Sequence, residues 1–255
     1  MGKPMPQPEV EERIRVASRV ALFLDFDGTL APLVADPAGA RLDEPVRQAL
    51  AAIARGVRAV VTIVSGRALD HLRERVGLPD LIYAGNHGLE IEGRGLSFIE
   101  PAAAAARAEL RAVTRRLEPV LRTIPGAFLE YKVLTASVHY RNVAAADRGR
   151  VEQAVLETIA PAAGLFRLRT GKMLWEILPK TDWNKGAAVR WILDRLGGDG
   201  LVSVYFGDDR TDEDAFHALP DGLTFKVGCA EPTDARYRVS GPAAVEEFLE
   251  WLAYK

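Results

Sequence analysis

An alternation of strand-like and helix-like segments runs along both ends of this chain and stops in its middle. Residues 20–24 form an apolar run that ends at Asp25 and predicts a buried strand. Residues 45–55 predict a helix, with Pro45 in its first turn and Gly56 past its end. A β-branched run at 58–64, broken by Ser65 and Gly66, is followed by a helical stretch at 68–76 and a short apolar run at 81–84. Near the C-terminus the same order returns: a helix at 185–196 stopped by Gly197 and Gly198, a strand at 201–206, a helix at 211–219, a strand at 223–227 and a closing helix at 242–252. Strands and helices in alternation imply a parallel sheet covered on both faces and joined by right-handed crossovers.

The middle reads differently. Residues 101–123 open with an alanine run and then place Leu110, Val113, Leu117, Val120 and Ile124 at spacings of three and four, an amphipathic helix. Pro119 lies inside it, where a proline kinks a helix or ends it early. Strands at 128–133 and 135–142, a helix at 147–159 and strands at 166–170 and 173–178 follow. Helix–strand–strand, repeated, is an α+β pattern built of hairpins. The expected fold class is therefore α/β: a Rossmann-like parallel-sheet core from residues 1–100 and 180–255, with a smaller α+β domain inserted at 101–179.

Charge and composition exclude several classes. With 33 basic and 35 acidic residues there is no basic excess to hold nucleic acid or an anionic membrane. No apolar stretch reaches the roughly 18 residues of a membrane span. The start of the chain, with Pro4, Pro6 and Pro8, lacks the apolar segment of a secretory signal, and Pro6 stands where a myristoylation signal has Ser or Thr. The one cysteine, Cys229, allows neither an internal disulfide nor a cysteine-cluster zinc site. A cytoplasmic monomer acting on a small molecule is the expectation.

Four segments carry candidate chemistry, each where a core strand ends or a core helix begins, the edge at which open α/β sheets bind ligands. DFDGTL at 25–30 sets two carboxylates, Asp25 and Asp27, two residues apart, a spacing that suits a nucleophile or metal ligand beside a proton shuttle; the plain alternative is a turn. VSGR at 64–67 offers the Ser65 hydroxyl and the Gly66 backbone to a phosphate oxygen, or is an ordinary capped turn. TDWNKG at 181–186 puts Lys185 at a helix start, where the dipole disfavours a cation unless an anion compensates it. GDDRTDEDAF at 207–216 crowds five acids after an apolar strand; a cation relieves their repulsion, and oxygen-only ligands select magnesium or calcium over zinc. Asp212, Glu213 and Asp214 also suit the first turn of a helix.

Taken in order, the set resembles the four motifs of the haloacid dehalogenase phosphatases. That resemblance implies Asp25 as nucleophile, Asp27 as general acid and base, Ser65 as phosphate ligand and Lys185 as the cation that neutralises nucleophile and phosphate. It also implies a Mg2+ ion held by Asp25, Asp208 and the backbone carbonyl of Asp27, with Asp209 and Asp212 in supporting positions. More finely, DFDGTLAP, VSGR, GNHG at 85–88 and GDDRTDEDAF resemble the trehalose-6-phosphate phosphatases, as do LEYK, SVHYRN and GKMLWEILP in the insert. The insert then corresponds to that family's closing cap, and Arg67, Asn86 and His87 join the expected substrate ligands. Within the cap, strand alternation places Leu129, Tyr131, Val133, Ala136, Val138, Tyr140, Met173, Trp175 and Ile177 on an apolar face. It places Glu130, Lys132, Ser137, His139, Arg141, Lys172 and Glu176 on a polar one. All of the polar set but Ser137 are candidate ligands for sugar hydroxyls or phosphate; the alternative is a solvated sheet face. Related sugar phosphatases for sucrose 6-phosphate or mannosyl-3-phosphoglycerate, a catalytically silent phosphosugar-binding regulator, and a structural protein with an acidic face are the competing readings.

Overall fold

The computed structural model describes residues 6–33, 39–171, 173–228 and 232–254; Lys172 and Cys229 lie outside them. In chain order the regular elements are α1 (Pro8–Val16), β1 (Arg19–Asp25), α2 (Glu44–Arg55), β2 (Ala59–Val64), α3 (Leu69–Val76), β3 (Ile82–Gly85), β4 (Glu90–Gly93) and β5 (Leu96–Ile99). Then come α4 (Pro101–Leu121), β6 (Phe128–Tyr131), β7 (Ala136–His139), α5 (Arg148–Ile159), β8 (Phe166–Gly171) and β9 (Leu174–Pro179). The chain closes with α6 (Lys185–Leu196), β10 (Leu201–Gly207), α7 (Glu213–Ala218), β11 (Leu223–Val227), β12 (Tyr237–Val239) and α8 (Pro242–Ala253).

The chain divides into two compact units, one of residues 1–98 and 183–255 and one of residues 99–182. The first is built on an eight-stranded sheet in the order β12-β11-β10-β1-β2-β3-β4-β5. β1 lies in its centre, parallel to both β10 and β2. Its residues 20–25 are all buried, as a central strand covered on both faces must be. One apolar cluster includes Leu22, Leu24, Leu50, Ile63, Phe206, Phe225 and Phe248; a second includes Ala21, Phe23, Val189, Ile192, Tyr205 and Phe216. The alternation of β1 residues between these clusters is the two-residue period of a strand with a helix layer on each side. Strands read as parallel are so, but β4 turns back antiparallel to β3. This extension is absent from the sequence expectation because its alternation is short and mostly acidic, with Ile91 its one fully buried residue. Helix α1 is likewise absent from that expectation, since Val10 and Ile14 are its buried residues.

The second unit is a four-stranded antiparallel sheet in the order β6-β7-β9-β8. Its apolar face packs Ala136, Val138 and Ile177, with Leu129, Trp175 and Tyr140, against Leu110, Val113 and Leu117 of α4 and Val151 and Val155 of α5. Two expectations are corrected. β6 and β7 are shorter than 128–133 and 135–142, because the Lys132 N–H donates to the Thr135 carbonyl at 2.9 Å and Val133 takes a left-handed φ of 71°. Val133 and Met173, the latter with φ 67°, therefore stand in turns and not on the apolar face. Pro119 does not end α4 early: it removes the N–H that would donate to the Arg115 carbonyl, yet the helix runs on to Leu121. Among the described residues, no helix is long and apolar enough to cross a membrane.

Glu100 starts the insert in an uncommon way. It is buried, its carboxylate accepts from the Ala103 N–H at 2.6 Å as the N-cap of α4, and it accepts from the Thr181 hydroxyl at 3.1 Å. One side chain thus ties together the two segments that enter and leave the unit. Glu100→Ala should destabilise the protein by about 1–2 kcal/mol, the cost of a lost cap, read as a fall in the urea midpoint. An unchanged midpoint would remove the cap from the stability of the unit.

Candidate active site

The motifs of the first unit follow the ends of β1, β2, β3 and β10, and Lys185 begins α6. Beyond Asp25 the chain turns tightly: the Leu30 and Ala31 N–H groups both donate to the Phe26 carbonyl, and the Gly28 N–H donates to the Ala31 carbonyl at 2.8 Å. Gly28 has φ +86°, and a Cβ there would collide with the Asp208 carboxylate. Only glycine combines that backbone with that approach, so the Asp25 loop and the Asp208 loop meet through it.

The centre of the site is a buried ammonium. Lys185 is the first residue of α6, whose N-cap Asn184 accepts from the Ala187 N–H at 2.9 Å. The Lys185 Nζ, 2% exposed, donates to Asp25 Oδ1 at 2.6 Å and to Asp212 Oδ1 at 2.7 Å. The anion needed at this helix start is thus supplied by the protein's own carboxylates. Asp212 Oδ1 also accepts from the Tyr205 hydroxyl at 2.7 Å, and its Oδ2 accepts from the Asp209 N–H at 2.9 Å. Burial works against the Lys185 charge, but Asp212 and Asp25 outweigh it and hold the ammonium protonated well above the ordinary lysine range. Burial pushes the Asp25 carboxyl up; Lys185 pulls against that shift, and Asp212 and Asp208 add to it. Burial and the same acids push the Tyr205 phenol up, so it stays a neutral donor.

Asp25, Asp208 and Asp212 each bring a carboxylate oxygen within 4.8 Å of the others. The set is all oxygen, suits a hard cation of the magnesium or calcium type, and carries more negative charge than one lysine balances. Of the three, Asp212 already spends both oxygens on Lys185, Tyr205 and the Asp209 amide, so Asp25 and Asp208 are the residues fitted to hold such an ion. Asp209 lies outside the cluster: exposed, its carboxylate completes a capping box with Asp212 over the turn at Arg210–Asp212.

Asp27 faces the other way. Arg67 Nε donates to its Oδ2 at 2.7 Å and Arg67 Nη2 to its Oδ1 at 2.6 Å, a two-pronged ion pair. Ser65 is buried at the end of β2 and its Oγ accepts from the Arg67 N–H at 3.2 Å. The ring of His87 lies against Gly66, where a Cβ would crowd it. Asn86 is buried and donates to Glu90 Oε1 at 2.6 Å, the oxygen that also accepts the first N–H of α3. In the second unit, Glu130 Oε2 lies 2.9 Å from His139 Nε2 and 3.7 Å from Lys132 Nζ, and Glu176 pairs with Arg169 at 2.6 Å. The strand registers set Glu130, Ser137 and Glu176 side by side on one face. Arg141 lies in the turn after β7 and is exposed.

Several participants were not read from the sequence. Tyr205 hides in an apolar strand, and its one signal is a hydroxyl two residues before Gly207. Lys226 had a clearer one, a charge in the buried run of β11; its Nζ lies 3.3 Å from the Asp209 carbonyl and 3.6 Å from Glu213 Oε1. Arg169 falls on the polar face by register with Glu176.

A parallel sheet with this acid–lysine edge defines a hydrolase fold of the haloacid dehalogenase type. A haloacid dehalogenase-like hydrolase from Bacteroides thetaiotaomicron superposes with a TM-score of 0.64 over 91% of this chain and 99% of its own, at 14% identity, a likeness of fold. A trehalose-6-phosphate phosphatase-related protein superposes with a TM-score of 0.80 at 25% identity, over 91% of this chain and 96% of its own. The family profile for trehalose-phosphatase matches residues 23–243. The trehalose-phosphate phosphatase of Mycobacterium tuberculosis is 39% identical over 247 residues, 93% of this chain and 62% of that protein. The chain belongs to the trehalose-phosphatase family, and it spans 62% of the length of that curated relative.

Lys185→Met should cost about 3–5 kcal/mol of stability, because it leaves two buried carboxylates facing each other without their cation. Denaturant unfolding measures this. A loss under about 1 kcal/mol would mean that the ammonium does not hold the site together.

Proposed function

We propose that the protein is a Mg2+-dependent phosphatase that hydrolyses trehalose 6-phosphate to trehalose and phosphate, acting as a cytoplasmic monomer. The observation that carries the reading is the buried Asp25–Lys185–Asp212 contact beside Asp208 at the ends of β1 and β10. Uncatalysed phosphate-monoester hydrolysis is slow enough that enzymes accelerate it by up to about 10²¹-fold. Proton transfer supplies roughly 10²–10⁴ of that, so positioning and charge neutralisation must supply most. A magnesium ion held by Asp25, Asp208 and the Asp27 carbonyl would draw charge from the phosphoryl oxygens. Lys185, Ser65 and the Gly66 amide bind the remaining oxygens. Asp25 attacks phosphorus in line while the ester P–O bond breaks, and Asp27 gives its proton to the departing sugar oxygen. The resulting aspartyl-phosphate is hydrolysed by a water whose proton returns to Asp27.

In this reading the unit of residues 99–182 is the specificity cap, and its Glu130, Lys132, His139, Arg141, Lys172 and Glu176 recognise the sugar. The pairing of Glu130 with His139 and of Glu176 with Arg169 supports it: each carboxylate is held in place and keeps accepting capacity for hydroxyls.

Phosphate release should be fast from trehalose 6-phosphate and slow from glucose 6-phosphate and sucrose 6-phosphate, lost with chelator and restored by magnesium. Equal rates on all three sugars would overturn the substrate, and full activity without metal would overturn the mechanism. Asp25→Asn should fold normally and lose turnover by several orders of magnitude. Glu130→Ala and Glu176→Ala should lower kcat/KM for the disaccharide phosphate, within the up to about 10⁴–10⁵ range open to hydroxyl recognition. They should spare a small aryl phosphate; equal losses on both substrates would make the face structural.

A further inference from the structure

We propose that Arg67 is a positioning residue for Asp27 and not a ligand of the substrate, an inference that rests on the reading of Asp27 as the general acid and base. The resemblance implies Arg67 as a substrate ligand. The geometry assigns it differently. Its side chain is 13% exposed, and two of its donors are directed in parallel at the two oxygens of one carboxylate, at 2.6 and 2.7 Å. Such a fork fixes the plane of the carboxylate as well as its place, which a lysine or a single hydrogen bond does not do.

The arginine is itself held on three sides. Its guanidinium lies over the ring of Phe26, 5.2 Å from the centroid, and Phe26 is fully buried immediately before Asp27. Its N–H donates to Ser65 Oγ at 3.2 Å, and its carbonyl accepts from the Asn86 N–H at 2.7 Å. The Asn86–His87 segment that reaches it holds left-handed φ values of 49° and 61° at two successive non-glycine residues. A backbone of that kind is strained and persists only where its surroundings over-determine it. Here the surroundings are the Ser65 carbonyl, which accepts from the His87 N–H at 2.8 Å, the Arg67 carbonyl, and Glu90, which holds the Asn86 side chain. The GNHG segment thereby acts as a buttress. It locks the turn after β2, the turn locks Arg67, and Arg67 orients the carboxylate that moves the proton. The same turn presents Ser65 to phosphate, so one rigid piece sets both groups against the Asp25 loop.

A double-mutant cycle tests this on the full chain with magnesium, trehalose 6-phosphate and p-nitrophenyl phosphate. Arg67→Ala should lower kcat for the sugar phosphate about 10- to 100-fold, part of the roughly 10²–10⁴ that acid–base catalysis supplies, with KM within about twofold of the parent. In an Asp27→Asn background the same substitution should cost almost nothing further, since there is no proton carrier left to orient. With p-nitrophenyl phosphate, whose phenolate leaves without a proton, Arg67→Ala should keep a full first-turnover burst. Arg67→Lys, which keeps charge and stem but not the fork, guards against loss of fold and should show the same lack of additivity. Additive losses, or a rise in KM that persists beside Asp27→Asn, would make Arg67 a substrate ligand and overturn the inference. Near-normal activity of Asp27→Asn alone would instead overturn the reading of Asp27.

Discussion

The structure of the first unit turns on one ammonium group. Lys185 joins the end of β1 to the loop after β10 by donating to Asp25 and Asp212, and it does so from the first residue of α6. Three elements far apart in sequence are therefore fixed to one atom. Desolvating that atom is expensive, and the return comes only because both carboxylates lie at hydrogen-bonding distance, with Asp212 held in turn by the Tyr205 hydroxyl. An apolar side chain in its place would fill the space but leave Asp25 and Asp212 buried without their cation. What it would lose is a defined position for Asp25, the group on which the proposed chemistry depends.

Much of this was legible before the structure. The core helices and strands follow from apolar period and from Gly and Pro punctuation; α6 begins and ends where read, at Lys185 and Leu196. The α/β class follows from the same alternation, and the trehalose-phosphatase family from motifs that survive as written. The acids of 207–216 announced a charged loop, but sequence alone could not divide their labour. Asp208 remains with the cation cluster, Asp209 caps a turn, and Asp212 anchors Lys185. Those differences arise from a turn only a few residues long, in which neighbouring carboxylates point to different partners.

The misreadings share one cause: local pattern is a weak guide where tertiary packing sets the backbone. β4 and α1 carry too few apolar residues to declare themselves, and each is held by the sheet or core that it joins. Val133 reads as a strand residue by its β-branch, yet the turn between β6 and β7 forces it to a left-handed φ. The alternation itself held where the strands exist. Glu130, Ser137 and Glu176 pair across three strands, as a two-residue period requires.

The division of acids also explains how one sheet edge serves two charges without mixing them. On one side of the Asp25 loop Lys185 balances Asp25 and Asp212; on the other Arg67 balances Asp27. A lysine suits the first place, because its compact ammonium can donate to two carboxylates from different elements. An arginine suits the second, because a planar fork sets the orientation of one carboxylate. Exchanging the two cations would keep the net charge and lose both functions: an arginine would not fit the 2%-exposed space of Lys185, and a lysine would leave the plane of Asp27 undefined. Asp208 joins Asp25 and Asp212 in the carboxylate cluster from the loop after β10. Gly28 brings the Asp25 loop directly against Asp208, so the three carboxylates converge at one point, which is where an incoming cation would find the most to neutralise.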